Sequence, residues 1–135
     1  SDSGEQDSCS NFNDAGFGFS VEPPSILKNT ATMRIINRYK SISSNQTTVI
    51  NKKYCLQCSY NGSKMVFFEN GTKVGELTVN GGVTPSSTLF GIGGAGKDAY
   101  WSKIKCYSFR MYNRGLTDSE LAQNFAVDCT RFEIT

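Results

Sequence analysis

The chain has a single tryptophan, and it lies in a short cluster of aromatic and polar residues at Asp98, Tyr100 and Trp101, directly after a glycine-rich stretch. An exposed aromatic ring can stack on the apolar face of a sugar ring, and short polar side chains can hydrogen-bond to sugar hydroxyl groups. The cluster therefore predicts a binding site for such a ligand. The alternative is that Trp101 packs in the core at the start of the last strand, and the sequence leaves both open.

Arg38 and Tyr39 are a second candidate of the same chemistry. They lie beside a polar loop rich in serine and asparagine, residues 41–46. An arginine next to an aromatic ring offers both hydrogen-bond donors and a stacking surface.

Catalytic chemistry lacks its usual residues. The chain contains no histidine, which is the commonest general base. Glycosidases need two carboxylates close together, and on a strand only alternate residues share a face. Here Glu69 and Glu76 stand alone beside turns, and Asp118 and Glu120 are explained by helix capping. We therefore predict no catalytic residues and no enzyme activity.

The five cysteines are an odd number, so at least one thiol has no partner within the chain. They are Cys9, Cys55, Cys58, Cys106 and Cys129. Cys55 and Cys58 have redox-motif spacing, but they lie inside an apparent strand with no following helix to lower a thiolate pKa. We interpret them as buried apolar residues, with one or two disulfides of open pairing as the alternative.

Metal binding has little support in the sequence. Without histidine or a second cysteine pair, a zinc site is not expected. The loop acids Asp14 and Asp98 are the residues that could contribute to a calcium site, but there is no dense acidic loop around them. We therefore expect no metal and no cofactor.

Length and composition indicate one globular domain. The chain has 135 residues, 38% hydrophobic and 12% aromatic, with 14 basic and 12 acidic residues for a net charge of +2. This balance gives no argument for nucleic acid, and no apolar run approaches the length of a membrane span. We expect a polar lead-in at 1–14 and a single domain at 15–135. With no initiator methionine or signal peptide, we expect a piece of a longer protein.

The element pattern is that of antiparallel β-structure. Three apolar runs at 54–60, 64–69 and 73–79 are separated by Asn61-Gly62 and Asn70-Gly71, the preferred pair for tight hairpins. Further strands are predicted at 17–21, 32–39 and 88–92, and residues 47–50 are expected to be extended.

The C-terminal segment has the clearest local pattern. Residues 106–112 read as a strand, and 113–115 as a corner. Thr117 and Glu120 have capping-box spacing, and Leu116 and Leu121 that of a hydrophobic staple, so we predict a short helix at about 117–126.

These segments resemble the laminin G-like, concanavalin A-like lectin/glucanase domains. The resemblance covers about 54–132 and rests on YCLQCSYNGSKMVFFENGTKVGEL, on TLFGIGG and on KCYSFRMYNRGLTDSELAQNF, with AVDCTRF similar to the tail of bacterial and phage-associated members. It implies an all-β fold, an antiparallel jelly-roll sandwich with one short C-terminal helix. The roughly nine or ten strands counted here are fewer than such jelly rolls usually contain, so an unpaired edge could be covered by homo-oligomerisation.

The resemblance implies a role at a surface. The leading hypothesis is a non-catalytic module, extracellular, on a cell surface or on a virion, that binds glycan or a surface protein as part of a larger exported or virion-associated protein. The second is a structural module whose partner is protein, including copies of itself. The third, a glycoside hydrolase of the same fold, is disfavoured by the missing carboxylate pattern.

Overall fold

The structure of the protein is a computed structural model that describes residues 6–10, 16–22, 27–87, 90–93 and 103–135. It contains eight strands and one helix in these ranges. The elements are β1 (Gln6–Ser10), β2 (Phe17–Glu22), β3 (Lys28–Ile35), β4 (Arg38–Ser43), β5 (Leu56–Tyr60), β6 (Lys64–Glu69), β7 (Thr72–Thr78), β8 (Gly91–Ile92) and α1 (Asp118–Phe132).

The strands form two antiparallel sheets. One has five strands in the order β4-β3-β2-β1-β8, and the other has three in the order β5-β6-β7. The prediction of an all-β chain with one C-terminal helix is confirmed at this level. Within the described residues, no helix has both the length and the apolar character needed to cross a membrane.

The core is formed by side chains from both sheets. Ala31 and Ile42 from the five-stranded sheet form one buried cluster with Met65 and Phe67 from the three-stranded sheet. Phe19 of β2 packs on it, with its ring centre 6.1 Å from that of Phe67. Burial of this apolar surface is the main favourable term that holds the two sheets together.

The three-stranded sheet matches the predicted meander closely. Asn70 and Gly71 both have positive φ, 48° and 74°, as the predicted two-residue hairpin requires. The other turn differs: only Gly62 has positive φ, 94°. The Asn61 side-chain oxygen accepts from the backbone N–H groups of Ser63 at 3.1 Å and Lys64 at 2.9 Å. Asparagine therefore closes this turn through its side chain.

The predicted single strand at 32–39 is wrong. A hairpin interrupts it, because Ile36 and Asn37 have positive φ values of 46° and 58° and connect β3 to β4. Part of the predicted loop at 41–46 belongs to β4 (Arg38–Ser43). The turn contains no glycine, and a β-branched residue is rare at positive φ. The sequence therefore lacks the residues that usually indicate a tight hairpin turn. Residues 47–50, expected to be extended, pair with no strand.

The sheet also takes in residues that the sequence assigns to a polar lead-in. β1 pairs with β2 on one side and contacts β8 on the other, where Cys9 lies opposite Ile92. The lead-in predicted at 1–14 therefore contains a strand. The polar composition of this stretch gave no strand pattern in the sequence. Its backbone groups can nevertheless pair with a neighbouring strand.

Residues 103–112 form what we call the apolar segment, and the strand predicted at 106–112 is wrong. The segment contacts α1 through its side chains instead of pairing with a sheet through its backbone. The Arg110 guanidinium makes a two-pronged ion pair with the buried Asp128 carboxylate. The Tyr112 hydroxyl accepts from the Asn124 amide at 3.1 Å, and the ring centres of Tyr107 and Phe132 are 5.9 Å apart.

The helix begins as predicted and ends later. Thr117 is its N-cap in a complete capping box with Glu120, and Leu116 packs against the cluster that contains Leu121. The predicted end near residue 126 is six residues short of Phe132. The tertiary contact between the buried Asp128 and Arg110 stabilises the last turns of the helix. The local sequence pattern contains no information about that contact, so it predicted an earlier end.

Candidate ligand-binding face

The five-stranded sheet has one face directed toward the core and one directed away from it. Successive side chains of a strand alternate between faces. Since Phe19, Ala31 and Ile42 point into the core, their neighbours on β2, β3 and β4 point the other way. We call this second set the outer face. It consists of Gly18, Ser20, Thr30, Thr32, Arg34, Tyr39, Ser41 and Ser43.

Hydroxyl groups pair across the strands of the outer face. The Thr30 hydroxyl donates to that of Ser43 at 3.0 Å. The hydroxyls of Thr32 and Ser41 lie 2.8 Å apart. Both contacts join residues that are directly opposite in the β3–β4 register. These pairs fix the rotamers of the hydroxyl groups and leave further acceptor capacity on each oxygen.

An aromatic ring lies in the next row of the same face. Arg34 is opposite Tyr39 in the register, and its guanidinium carbon lies 5.4 Å from the centre of the Tyr39 ring. Tyr39 is 54% exposed. The arrangement therefore presents a partly exposed ring supported by a cation.

Two buried polar atoms of this face have no hydrogen-bond partner, Ser20 Oγ and Arg34 Nε. Leaving such a group unpaired costs about 1–3 kcal/mol, so it calls for a water molecule or a ligand atom. Ser20, Thr30 and Thr32 are buried, whereas Ser41 and Ser43 are exposed. The accessible part of the face is thus the strip along β4.

The strip on β4 has the chemistry of a sugar-binding surface. Tyr39, Ser41 and Ser43 are alternate residues, so neighbouring members are about 7 Å apart along one face. A sugar ring on Tyr39 would have hydroxyl groups within reach of the Ser41 side chain. Such a combination of stacking and hydrogen bonding is what the ligand class requires.

The structure separates the two residues of the second predicted candidate. Arg38 is opposite Ile35 in the register, whereas Tyr39 is opposite Arg34. Adjacent residues of a strand face opposite sides, so Arg34 takes the place beside Tyr39 that the sequence assigned to Arg38. Recognising the turn at Ile36 and Asn37 would have predicted this pairing.

The first predicted candidate, Asp98, Tyr100 and Trp101, lies outside the described residues, as does Asp14. The two loop acids that could contribute to a calcium site, which the sequence did not lead us to expect, are therefore not described. Within the ranges that the structure covers, no group of three or more side chains has the composition of a metal site.

Five carboxylates of the described chain are engaged by neighbouring groups. Glu69 accepts from Asn29 at 3.2 Å. The other contacts are Glu76 with Lys64 and Lys73, Asp118 with Lys73, Glu120 with Arg114, and Asp128 with Arg110. The hydrogen bond from Lys73 lowers the pKa of Glu76. Glu76 and Asp118 share Lys73, whereas Glu69, Glu120 and Asp128 each have a separate partner.

Cys58 packs against the core cluster as the apolar interpretation requires, whereas Cys106 is exposed. Cys55, Cys58, Cys106 and Cys129 are free. Burial raises the pKa of Cys58 to about 12, and burial followed by the Asp128 charge raises that of Cys55 to about 11. A raised pKa keeps a thiol protonated and unreactive. Cys55 and Cys58 therefore lack the thiolate that a redox motif requires, although they have its spacing.

No protein-family model matches the chain, and no curated protein is similar to it at a significant level. Among solved structures, the fold is similar to an S-layer domain-containing protein from Clostridium thermocellum (residues 221–444). The two share 20% sequence identity with a TM-score of 0.49, and the match covers 91% of this chain and 64% of the length of that one.

Proposed function

We propose that the chain is a non-catalytic, lectin-like recognition module that binds glycan on the outer face of its five-stranded sheet. The observation that carries the proposal is the combination on β4 of the exposed Tyr39 ring with the exposed Ser41 and Ser43, whose hydroxyls pair with those of Thr32 and Thr30. A glycan supplies both an apolar ring face and hydroxyl groups for such a surface.

The proposal includes a fold family. We propose a jelly-roll sandwich of the laminin G-like, concanavalin A-like type. Its support is the sequence resemblance, together with two antiparallel sheets that contribute to one core cluster and a capped helix at the predicted start. In this reading the module belongs to a larger exported or virion-associated protein and acts outside the cell, on a cell surface or on a virion.

The absence of catalysis is part of the same proposal. It is supported by the engagement of Glu69, Glu76, Asp118, Glu120 and Asp128 in hydrogen bonds or ion pairs with neighbouring side chains. A glycosidase needs two carboxyl groups facing one substrate bond, one of them free to exchange a proton. A glycoside hydrolase of this fold is therefore the third and least supported function.

Binding to a broad glycan array tests the proposal, with Tyr39→Ala as the principal variant. We expect Tyr39→Ala to weaken binding about tenfold or more, because it removes the stacking surface, and Tyr39→Phe to retain most of it. Tyr107→Ala, at a tyrosine of comparable exposure away from this face, is the control and should bind normally. A protein that binds nothing on the array, or Tyr39→Ala with unchanged binding, would contradict the proposal.

The same array distinguishes the two predicted candidates. If Trp101→Ala abolishes binding while Tyr39→Ala does not, the glycan binds at residues 98–101 and the outer face is not the site. If only Tyr39→Ala is affected, the outer face is the site.

A structural module that binds protein is the second candidate function. The observation that favours it is the exposed apolar segment, where Ile104, Phe109 and Met111 are 43–56% exposed. Sedimentation velocity tests its homo-oligomeric form. A stable dimer or trimer would favour self-association, and a monomer would leave only a different polypeptide as partner.

A further inference from the structure

The backbone of the apolar segment, residues 103–112, belongs to no strand of either described sheet. None of its backbone N–H or C=O groups is hydrogen-bonded to another described backbone group. Backbone polar groups are obligatory hydrogen-bonding groups, and an extended stretch that offers them openly is a template for another strand.

The segment also exposes an unusual amount of apolar surface. Five of its ten side chains are large, apolar or aromatic, and 43–56% exposed. They are Ile104, Tyr107, Phe109, Met111 and Tyr112. Single exposed apolar residues are ordinary, but a contiguous group of this kind marks an interaction surface.

A second open edge faces this segment. β5 is the outermost strand of the three-stranded sheet. The Lys53 ammonium, just before β5, lies 5.5 Å from the centre of the Tyr107 ring. At the other end of β5, the Ser59 hydroxyl donates to the Leu116 carbonyl at 2.7 Å. The order of these contacts, first with Tyr107 and then with Leu116 beyond the segment, indicates that the segment runs in the same direction as β5.

A cavity of about 600 Å³ separates the two edges. Residues 53–60 line one side and residues 104–116 the other, with Phe19 and Met33 of the five-stranded sheet also contributing. The cavity is also lined by Gln57, whose Oε1 atom is buried without a hydrogen-bond partner. The cleft thus combines apolar walls, two backbone edges that face it with no strand of the described residues between them, and the unpaired Gln57 acceptor.

We propose that this cleft binds one extended strand of another polypeptide, which pairs with β5 on one side and with the apolar segment on the other. In strand addition of this kind, main-chain hydrogen bonds supply affinity, and pockets for alternate side chains supply specificity. The inference deepens the second candidate function and rests on it, but it does not depend on the glycan proposal, because Tyr39, Ser41 and Ser43 do not line the cleft.

Charge defines the partner. Lys103 and Lys105 form no ion pair with a carboxylate of the described residues. Lys53 donates to the Phe132 carbonyl and lies over the Tyr107 ring, and it too forms no ion pair with a described carboxylate. Arg110, by contrast, is neutralised by Asp128. One end of the cleft is therefore positive. The partner strand carries apolar side chains at alternate positions and acidic residues at the end near Lys53 and Lys105.

A second copy of the same segment is a poor partner on this argument. Residues 103–112 contain Lys103, Lys105 and Arg110 and no acidic residue. Pairing two copies of the segment would set like charges against one another, which is destabilising across strands. A strand of different sequence avoids this repulsion.

Selection from a displayed library of random peptides of about ten residues, the upper length of a typical strand, tests the proposal on the full chain. We expect enrichment of sequences that alternate apolar and acidic residues. We expect the synthetic peptides to lose binding when alternate backbone nitrogens are methylated, because methylation removes strand hydrogen bonds. Failure to enrich such sequences, or binding that survives methylation, overturns the proposal.

Hydrogen exchange of the free and peptide-bound protein locates the strand. Amides of residues 103–112 should exchange rapidly in the free protein and become protected together with those of β5 when peptide is bound. Protection of the segment in the free protein would show that it closes on β5 itself, and this too overturns the proposal.

A matched pair of variants completes the test. Met111 and Val127 are each 56% exposed, and Val127 lies on α1 outside the cleft. Met111→Ser should weaken the selected peptide about tenfold, and Val127→Ser should not. Tyr39→Ala should bind the peptide normally, which keeps this test separate from the glycan test. Equal loss in Met111→Ser and Val127→Ser would contradict a site in the cleft.

Discussion

Single side chains are most tightly constrained at the start of α1. The Thr117 backbone N–H donates to Glu120 Oε2 at 2.9 Å, and the Glu120 backbone N–H donates to the Thr117 hydroxyl at 3.3 Å. Arg114 donates to both carboxylate oxygens, at 2.9 and 2.6 Å. The Arg114 guanidinium, followed by the Thr117 amide, lowers the pKa of Glu120 from 4.5 to about 2. The Glu120 carboxylate thus completes the capping box and also binds Arg114 in the turn that precedes the helix.

This shift predicts an acid-sensitive contribution to stability. Because the folded-state pKa of Glu120 is below its unfolded value, its contribution is complete above about pH 4.5 and is lost as the pH falls toward about 2. Thermal unfolding of the wild type and Glu120→Gln should show the wild type more stable near neutral pH, with the gap narrowing over that window. Glu133→Gln, at the other end of the helix, is the control. A gap that stays constant with pH would contradict this prediction.

Among the secondary-structure elements, the β3–β4 hairpin sets which residues of the outer face lie opposite one another. Its turn puts a β-branched residue, Ile36, at a φ of 46°. That conformation is costly for such a side chain. Ile36 is 61% exposed, and its Cδ1 atom lies so close to Gly81 that a Cβ atom at that position would overlap it. The side chain therefore covers a glycine at the expense of local strain.

Replacing the turn residue should relieve that strain. Ile36→Asn should raise the free energy of unfolding by about 1 kcal/mol, because asparagine tolerates the left-handed region better than isoleucine. Urea denaturation measures the change. Ile36→Val keeps the branched side chain and should give no gain. A less stable Ile36→Asn protein would show that the contact with Gly81 outweighs the strain.

Across the full chain, the shared core determines which thiols are accessible. Cys58 packs against the cluster that joins the two sheets, and burial raises its pKa to about 12. Cys106 lies in the apolar segment and is exposed. The same packing that stabilises the fold therefore protects one thiol and leaves another open.

The consequence is a difference in reaction rate with a thiol reagent. In the native protein at neutral pH, Cys106 should react rapidly and Cys58 only slowly, and the difference should disappear in denaturant. Mass spectrometry of partially labelled protein identifies the sites. Cys106→Ser should remove the fast reaction and leave the slow one. Rapid labelling of Cys58 in the native state would contradict the packing described above.

Several features of this fold were predictable because they depend on neighbours in sequence. The capping box at Thr117 and Glu120 spans four residues, and the tight turn at Asn70 and Gly71 spans two. The strands β5 to β7 (Leu56–Tyr60, Lys64–Glu69 and Thr72–Thr78) follow from short apolar runs between such turns. Local sterics and local hydrogen bonds decide these elements, so the sequence is sufficient for them.

Other features depend on groups that are distant in sequence. The apolar segment has the composition of a strand, but a strand also needs a partner edge, and Arg110 instead pairs with Asp128 eighteen residues later. The same ion pair extends α1 beyond its predicted end. Arg34 reaches Tyr39 only because an atypical turn sets the register. The amino-acid types therefore led to the prediction of a sugar-binding surface, whereas long-range pairing determined that Arg34 rather than Arg38 lies beside Tyr39.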